Sequence, residues 1–455
     1  MRREGSLGGW IWSSLCLVAW CLSGNQAEAI TRYVPNEGTL DQVLARVING
    51  DTVVVRAGNH RLLKTALLSK RNDVTIRGEP GAIVYSAVPT GTTAALRLSS
   101  CNRVEIADLT IEGAFQTARG IKVDSTCSFV TIRNCEVTHC GNHGIDIDSR
   151  DSTIKDCRTH HNLAFPGGVR ADAHGMVTVA SQRLLIEGCT SYCNSGDSFQ
   201  ADRGAWNEVT LRNCDLYDEP LTAQVVNPFF NGAFPNPTLP LGQTVSENAI
   251  DTKHVSTSRG ILRLQDLRMR GFTMTVAPTF NASALVLKEN VDVIAERCRT
   301  WDCEIGWRVR SLSNSMQCKL DMVNCWTNNC LTGFRLEDAL SGNPQQIRLA
   351  HNTFDANTTT LVRAPSTVNF FGDSMVCNTL VLNGTRPTEF PTSLGNTATS
   401  GARGIDVPAW ASVLAQRDLL LNPRPAVAPA AGAIETAPQS PVRVCVVPCP
   451  GGTPA

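Results

Sequence analysis

Charge is scarce and balanced in this sequence. Only 18% of its 455 residues are charged, and 41 basic side chains face 41 acidic ones. That balance argues against a strongly basic nucleic-acid binder and against a polybasic membrane anchor. Beyond the first thirty residues no apolar run is long enough to cross a bilayer. No CxxC pair is present, so the commonest structural zinc spacing is missing. What remains is an ordinary globular composition, long enough for a sizeable core.

The first 29 residues read as a secretory signal. Arg2 and Arg3 give a positive start, Trp10 to Leu22 is apolar but short, and Ala27-Glu28-Ala29 is a small-x-small cleavage site. The mature chain is expected to begin near Ile30 and to be secreted. Cys16 and Cys21 fall inside the signal, which leaves 16 of the 18 cysteines. An even number in an oxidising compartment makes disulfides an expectation, beside the reading of these cysteines as small buried hydrophobes.

One pattern recurs: a β-rich triplet, a small or polar residue, then Cys, Leu or Asn. Strong copies are Val74-Thr-Ile-Arg-Gly-Glu79, Val104-Glu-Ile-Ala-Asp-Leu109, Val130-Thr-Ile-Arg-Asn-Cys135, Ser152-Thr-Ile-Lys-Asp-Cys157, Leu184-Leu-Ile-Glu-Gly-Cys189 and Val209-Thr-Leu-Arg-Asn-Cys214. Weaker copies continue through Leu320-Asp-Met-Val-Asn-Cys325 to Met375-Val-Cys-Asn-Thr-Leu380. Most intervals fall in the range of a solenoid period. Alternation within each copy indicates a strand. A single coil cannot bury its apolar face, so the coils must stack.

With Gly50-Asp-Thr-Val-Val-Val-Arg-Ala-Gly58 opening it, this pattern resembles the pectate-lyase-like right-handed parallel β-helix superfamily. The resemblance implies an all-β solenoid of about 11 to 12 coils, over residues 30–400. The apolar residues Leu40, Val43, Leu44, Val47 and Ile48 make a helical face. In the superfamily such a helix caps the first coil. Residues 401–455, rich in Pro and Ala, are read as a covering segment and tail.

A second strand recurs in each coil, as in Ile121-Lys-Val-Asp124, Ile145-Asp-Ile-Asp148, Phe199-Gln-Ala-Asp202, Ile250-Asp-Thr-Lys253, Leu285-Val-Leu-Lys288, Trp307-Arg-Val-Arg310 and Phe334-Arg-Leu-Glu337. The coil at Gly175–Ala180 is open by one residue. If apolar residues face the core, the second and fourth face solvent. Stacked coils then give one column of Lys122, Asp146, Gln200, Asp251, Val286, Arg308 and Arg335. The other is Asp124, Asp148, Asp202, Lys253, Lys288, Arg310 and Glu337. Acids occupy the earlier coils, bases the later ones, and they meet at Asp202, Asp251 and Lys253. The Pro-rich stretch Glu219–Thr244 is placed to wall a cleft there.

That junction suggests chemistry on a uronic-acid-containing polysaccharide. Asp146, Asp148, Asp202 and Asp251 are the candidate ligands of Ca²⁺, a hard ion served by carboxylates. Lys253 is the candidate base of a β-elimination, and Arg308 or Arg310 the clamp on the sugar carboxylate. Lys253 should lose proton affinity beside Lys288 and Arg310 and gain it beside Asp202 and Asp251. His174, Gln200, Lys288 and Arg335 are candidate sugar contacts. Cys193-Asn-Ser-Gly-Asp-Ser-Phe-Gln200 and Glu247-Asn-Ala-Ile-Asp-Thr-Lys253 are similar to runs in β-helix polysaccharide lyases and their uncharacterised relatives. The Arg-x-Pro-x-x-Arg motif of the commonest pectate lyases and the polygalacturonase signatures are missing. The alternatives are a non-catalytic glycan-binding or structural β-helix and a uronate C5-epimerase. The expected partner is a polysaccharide, without nucleic acid or membrane, and the expected state a monomer.

Overall fold

The computed structural model describes residues 28–394 apart from 87–93, 116–117, 223–238, 256, 277–280, 311–316, 338–345, 364–374, 378–379 and 382–391. The expected signal, the C-terminal segment 401–455 and most of the Pro-rich excursion lie outside the described residues.

Among the described residues the strands form three parallel sheets, of 14, 12 and 11 strands. Between Thr52 and Arg363 each coil gives one strand to each sheet, and each strand pairs with its equivalent one coil away. The recurring triplets build the first sheet: Val104, Val130 and their successors stand opposite one another, as do Ile106 and Ile132. Leu184 faces Val209 and Leu262 faces Val293 in the same way. Parallel pairing without a hairpin needs a crossover, and here the other two strands of the coil supply it.

The repeat's polar residue before Cys or Leu has a physical reason. Asn134, Asp156, Asn213, Asp266 and Asn324 all adopt positive φ, between 51° and 57°, at the corner leaving the first sheet. Asn and Asp tolerate that left-handed conformation better than other side chains, and Gly188 fills the same place at 65°. The next residue turns inward. Cys135, Cys157, Cys189 and Cys214 are buried there, one above another. The 13 cysteines from Cys101 to Cys330 are free thiols. Among the described residues, then, the disulfide expectation gives way to a stack of small apolar groups.

The core runs the length of the coil. Trp206, Trp307, Phe199, Phe272, Phe334 and Phe354 are its largest fully buried side chains. A five-residue helix, Leu40–Leu44, adds Leu40, Val43 and Leu44 to that core beside the first coils. On the 12-stranded face His160 stacks on Tyr192 at 4.7 Å and Tyr192 on Tyr217 at 4.7 Å. Arg270 covers Tyr217 at 4.1 Å, continuing the ladder.

Asp218 ties the two ends of the Pro-rich excursion together. Its Oδ2 accepts the backbone N–H of Ser246 at 2.9 Å, and the side chain is buried. Burial raises its pKa from 3.8 to about 7. The folded chain therefore holds a proton there that the unfolded chain releases near pH 4. Stability should fall as pH rises from about 4 to about 7. Asp218→Asn is expected to flatten that part of a denaturation-midpoint profile, and an unchanged slope in the variant would exclude Asp218 as its source.

Candidate functional site

The 11-stranded sheet carries the expected columns. Lys122 stands opposite Asp146, Gln200 opposite Asp251, Val286 opposite Arg308, and Arg308 opposite Arg335. The coil left open in sequence resolves as strand Met176–Thr178, which puts Val177 between Asp146 and Gln200. The second column follows, with Asp202 N–H on the Thr178 carbonyl and Lys253 N–H on that of Ala201.

One expectation is corrected. The first column does not face open solvent. Asp146, Gln200, Asp251 and Val286 are all buried, and Arg308 nearly so. Long basic side chains lie against its acids, Arg119 and Lys122 on Asp146 and Lys288 on Asp251.

The four aspartates separate into two groups. Asp146 and Asp148 both accept from Lys122 Nζ, at 2.7 and 2.6 Å. Arg119 also bonds Asp146, and Asp148 Oδ1 takes the N–H groups of Val179 and Ala180 at 2.8 and 3.1 Å. Burial pushes the Asp146 carboxyl up. Asp251 lies three rungs further on, about 14 Å at the spacing of paired strands. It holds Lys288 Nζ at 2.9 Å and Lys253 Nζ at 3.6 Å, while Asp202 holds Lys253 at 3.4 Å. Lysines fill the places that a cation would take. Calcium takes about six to eight oxygens, and among the described residues no three His, Cys, Asp or Glu side chains form a group able to hold a metal ion. The proposed calcium set therefore does not fit this structure as one site.

Lys253 lies between Asp202 and Asp251. Burial works against its charge, but Asp251, Asp202 and Asp197 together outweigh burial and raise its pKa. Its carboxylate neighbours favour the ammonium form. Asp251 Oδ1 is buried without a hydrogen-bond partner.

His174 lies under the same face. Burial drives its pKa down to about 4, and it accepts the Asp197 N–H at Nδ1, 2.8 Å away. The neutral ring then carries its proton on Nε2. It stacks on His143 at 5.1 Å. Asp197 is fully buried. Burial, with Asp251 and Glu247 adding, raises its pKa well above the carboxylate range, and Asn248 Nδ2 donates to it at 2.8 Å.

Downstream, Glu337 gathers three arginines. Arg308 Nε lies 2.5 Å from Glu337 Oε1, Arg335 Nε lies 2.8 Å from Oε2, and Arg310 Nε lies 3.6 Å from Oε1. One carboxylate among three guanidinium groups leaves a positive site. Beside it is a cavity of about 610 Å³ lined by Lys288, Arg308, Arg310, Glu247, Glu304 and Asn281, among others.

Glu247 and Glu304 were not singled out from the sequence as site residues. The signal was available: each stands just ahead of an 11-stranded-sheet strand, Asn248–Thr252 and Ile305–Arg310. Burial raises the Glu247 carboxyl, with Asp172 and Asp251 adding, and burial also raises that of Glu304.

Residues 94–219 match a family model described as a right handed beta helix region. No curated protein matches the chain in sequence. Among solved structures, Geobacillus virus E2 ORF18 is 14% identical over 69% of this chain and 59% of its own, with a TM-score of 0.49. The chain thus spans less than two thirds of that structure. An alginate lyase from Paenibacillus sp. str. FPU-7 is 12% identical over 66% of this chain and 97% of its own, at 0.47. The pectate lyase Pel9A is 13% identical over 86% and 83%, at 0.45. With three parallel sheets in unbroken coil-to-coil register and the family match over residues 94–219, the chain is a right-handed parallel β-helix.

Proposed function

We propose that this is a carbohydrate-active β-helix that binds a uronic-acid-containing polysaccharide along its 11-stranded sheet and cleaves it by β-elimination. The observation that carries this reading is the row of cations Lys253, Lys288, Arg308, Arg310 and Arg335 on the 11-stranded sheet, of which Lys288, Arg308 and Arg310 line the cavity. Removing a proton next to a uronate carboxylate builds negative charge on that carboxylate. Fixed cations stabilise it without a metal ion. Lys253, held as an ammonium, belongs to this neutralising row, and the guanidinium groups suit a planar carboxylate.

The test is a panel of polyuronides with a chelator present. Ultraviolet absorbance from unsaturated sugar ends should rise, and chelation should leave the rate unchanged. Lys288→Ala should lower kcat/KM by about 100-fold, in line with the loss of one charge-assisted contact. Binding without any product would favour a glycan-binding protein. Altered uronate stereochemistry without chain cleavage would favour an epimerase. A reaction that stops on chelation would restore the metal-assisted route.

A further inference from the structure

The proposed β-elimination leaves its proton-transfer groups unassigned, since Lys253 is held as an ammonium. Resting on that reading, we propose that Glu304 removes the proton next to the uronate carboxylate and that Glu247 returns one to the departing glycosidic oxygen.

The backbone around Asn281 and Ala282 organises this pair. Glu304 Oε2 accepts the Ala282 N–H at 3.1 Å. Arg308 Nη1 donates to the carbonyl at the other end of that same peptide, that of Asn281, at 3.2 Å. A guanidinium and a carboxylate are thereby anchored to the two ends of one peptide group, and both residues line the cavity. The first suits the uronate carboxylate, and the second suits the hydrogen on the carbon beside it. Glu247 stands one rung earlier, since the Ser283 N–H bonds its carbonyl and the Ile305 N–H bonds that of Ala282. Glu304 thus stands two rungs from Glu247, its carboxylate bonded to the rung between them, rungs being about 4.8 Å apart. Both carboxyls line the same cavity as Lys288 and Arg310.

Their surroundings divide the work. Glu304 is flanked by Arg308 and Arg335, which favour its ionised form, while burial strengthens it as a base. Glu247 has Asp172 and Asp251 as neighbours, which favour its protonated form, against Arg170 and Lys288. Burial raises both carboxyls, and the assignment of base and acid follows the sign of the charges around each within the shared cavity.

The step balances. Glu304 takes the proton from the carbon beside the uronate carboxylate. The C–H electron pair becomes the new C=C bond as the bond to the glycosidic oxygen breaks. That oxygen takes the proton of Glu247 and leaves as a hydroxyl. Glu304 then holds the proton that Glu247 lost, and exchange with solvent resets both. No oxidant or co-reactant is needed.

The experiment compares Glu304→Gln, Glu247→Gln and Lys253→Arg on a polyuronide that the wild-type chain cleaves. Glutamine keeps an acceptor for the Ala282 N–H but cannot take the proton. Glu304→Gln should lower kcat by about 10²- to 10⁴-fold with KM nearly unchanged. The limb of the pH–rate profile that rises from low pH should disappear with it. Glu247→Gln should lower kcat and remove the opposite limb. Lys253→Arg, still a cation, should cost no more than about tenfold. If both glutamine variants keep near-wild-type kcat, or if Lys253→Arg is inactive while Glu304→Gln turns over, the assignment is overturned and β-elimination stands. If the wild-type chain makes no unsaturated product from any polyuronide, the functional reading fails and takes the assignment with it.

Discussion

Asp251→Ala should destabilise the fold by about 3 kcal/mol or more, the usual cost of removing one partner from a buried ion pair. Asp251 is buried between two ammonium groups, Lys288 at 2.9 Å and Lys253 at 3.6 Å. Without it these charges repel at short range, with Asp202 alone left to hold Lys253. The Lys253 pKa should fall, because Asp251 contributes most to raising it. A double-mutant cycle separates the pair from the site. Asp251→Ala with Lys288→Met should recover much of the loss in urea unfolding, since one unpaired buried charge is removed as well. A fully additive cycle would show that Asp251 and Lys288 are not coupled in solution. The same variant bears on function, because it releases Lys288 toward the cavity that it lines.

Trp307→Ala should cost about 3 to 5 kcal/mol, the range for truncating a buried aromatic. Trp307 is fully buried, stands between Leu285 and Phe334 in the inward column, and donates from Nε1 to Thr327 Oγ1 at 2.9 Å. The side chains that follow it on the same strand, Arg308 and Arg310, line the cavity. Loss of the indole should therefore loosen the cationic row before it unfolds the whole coil stack, since each coil contacts chiefly its neighbours. Hydrogen exchange should rise first at Ile305–Arg310 and Thr332–Glu337. Uniform exchange over the whole chain would instead show a single cooperative unit.

The coil and its register were legible in the sequence because a strand's period of two is strict and solenoid rungs repeat it. Ile121, Ile145, Phe199, Ile250, Leu285, Trp307 and Phe334 are all inward, as alternation requires. Only the short coil at Met176–Thr178 had no unique phase. The site was less legible for two reasons. Alternation tells which way a side chain points, not whether a connection covers it, so the column of Asp146, Gln200 and Asp251 was read as solvated. Column membership also says little about distance along the column. Asp146 and Asp251 share one column yet lie three rungs apart, each with its own lysine. Glu247 and Glu304 fell outside the alternating strands altogether. Their importance depends on where the chain enters the sheet, and strand periodicity does not report that.

The equal coil-to-coil pairing has an evolutionary corollary. Adding or deleting a whole coil moves everything beyond it by one rung, about 4.8 Å, without rotating any column. A partial insertion must instead fall between rungs, and on either side of the stretch from Tyr217 to Asn248 successive rungs of two sheets remain paired. Such a molecule changes reach in fixed quanta and changes selectivity through its loops. Gene duplication within the repeat thus lengthens the sheets in whole rungs while leaving the spacing of Arg308, Glu304 and Lys288 intact.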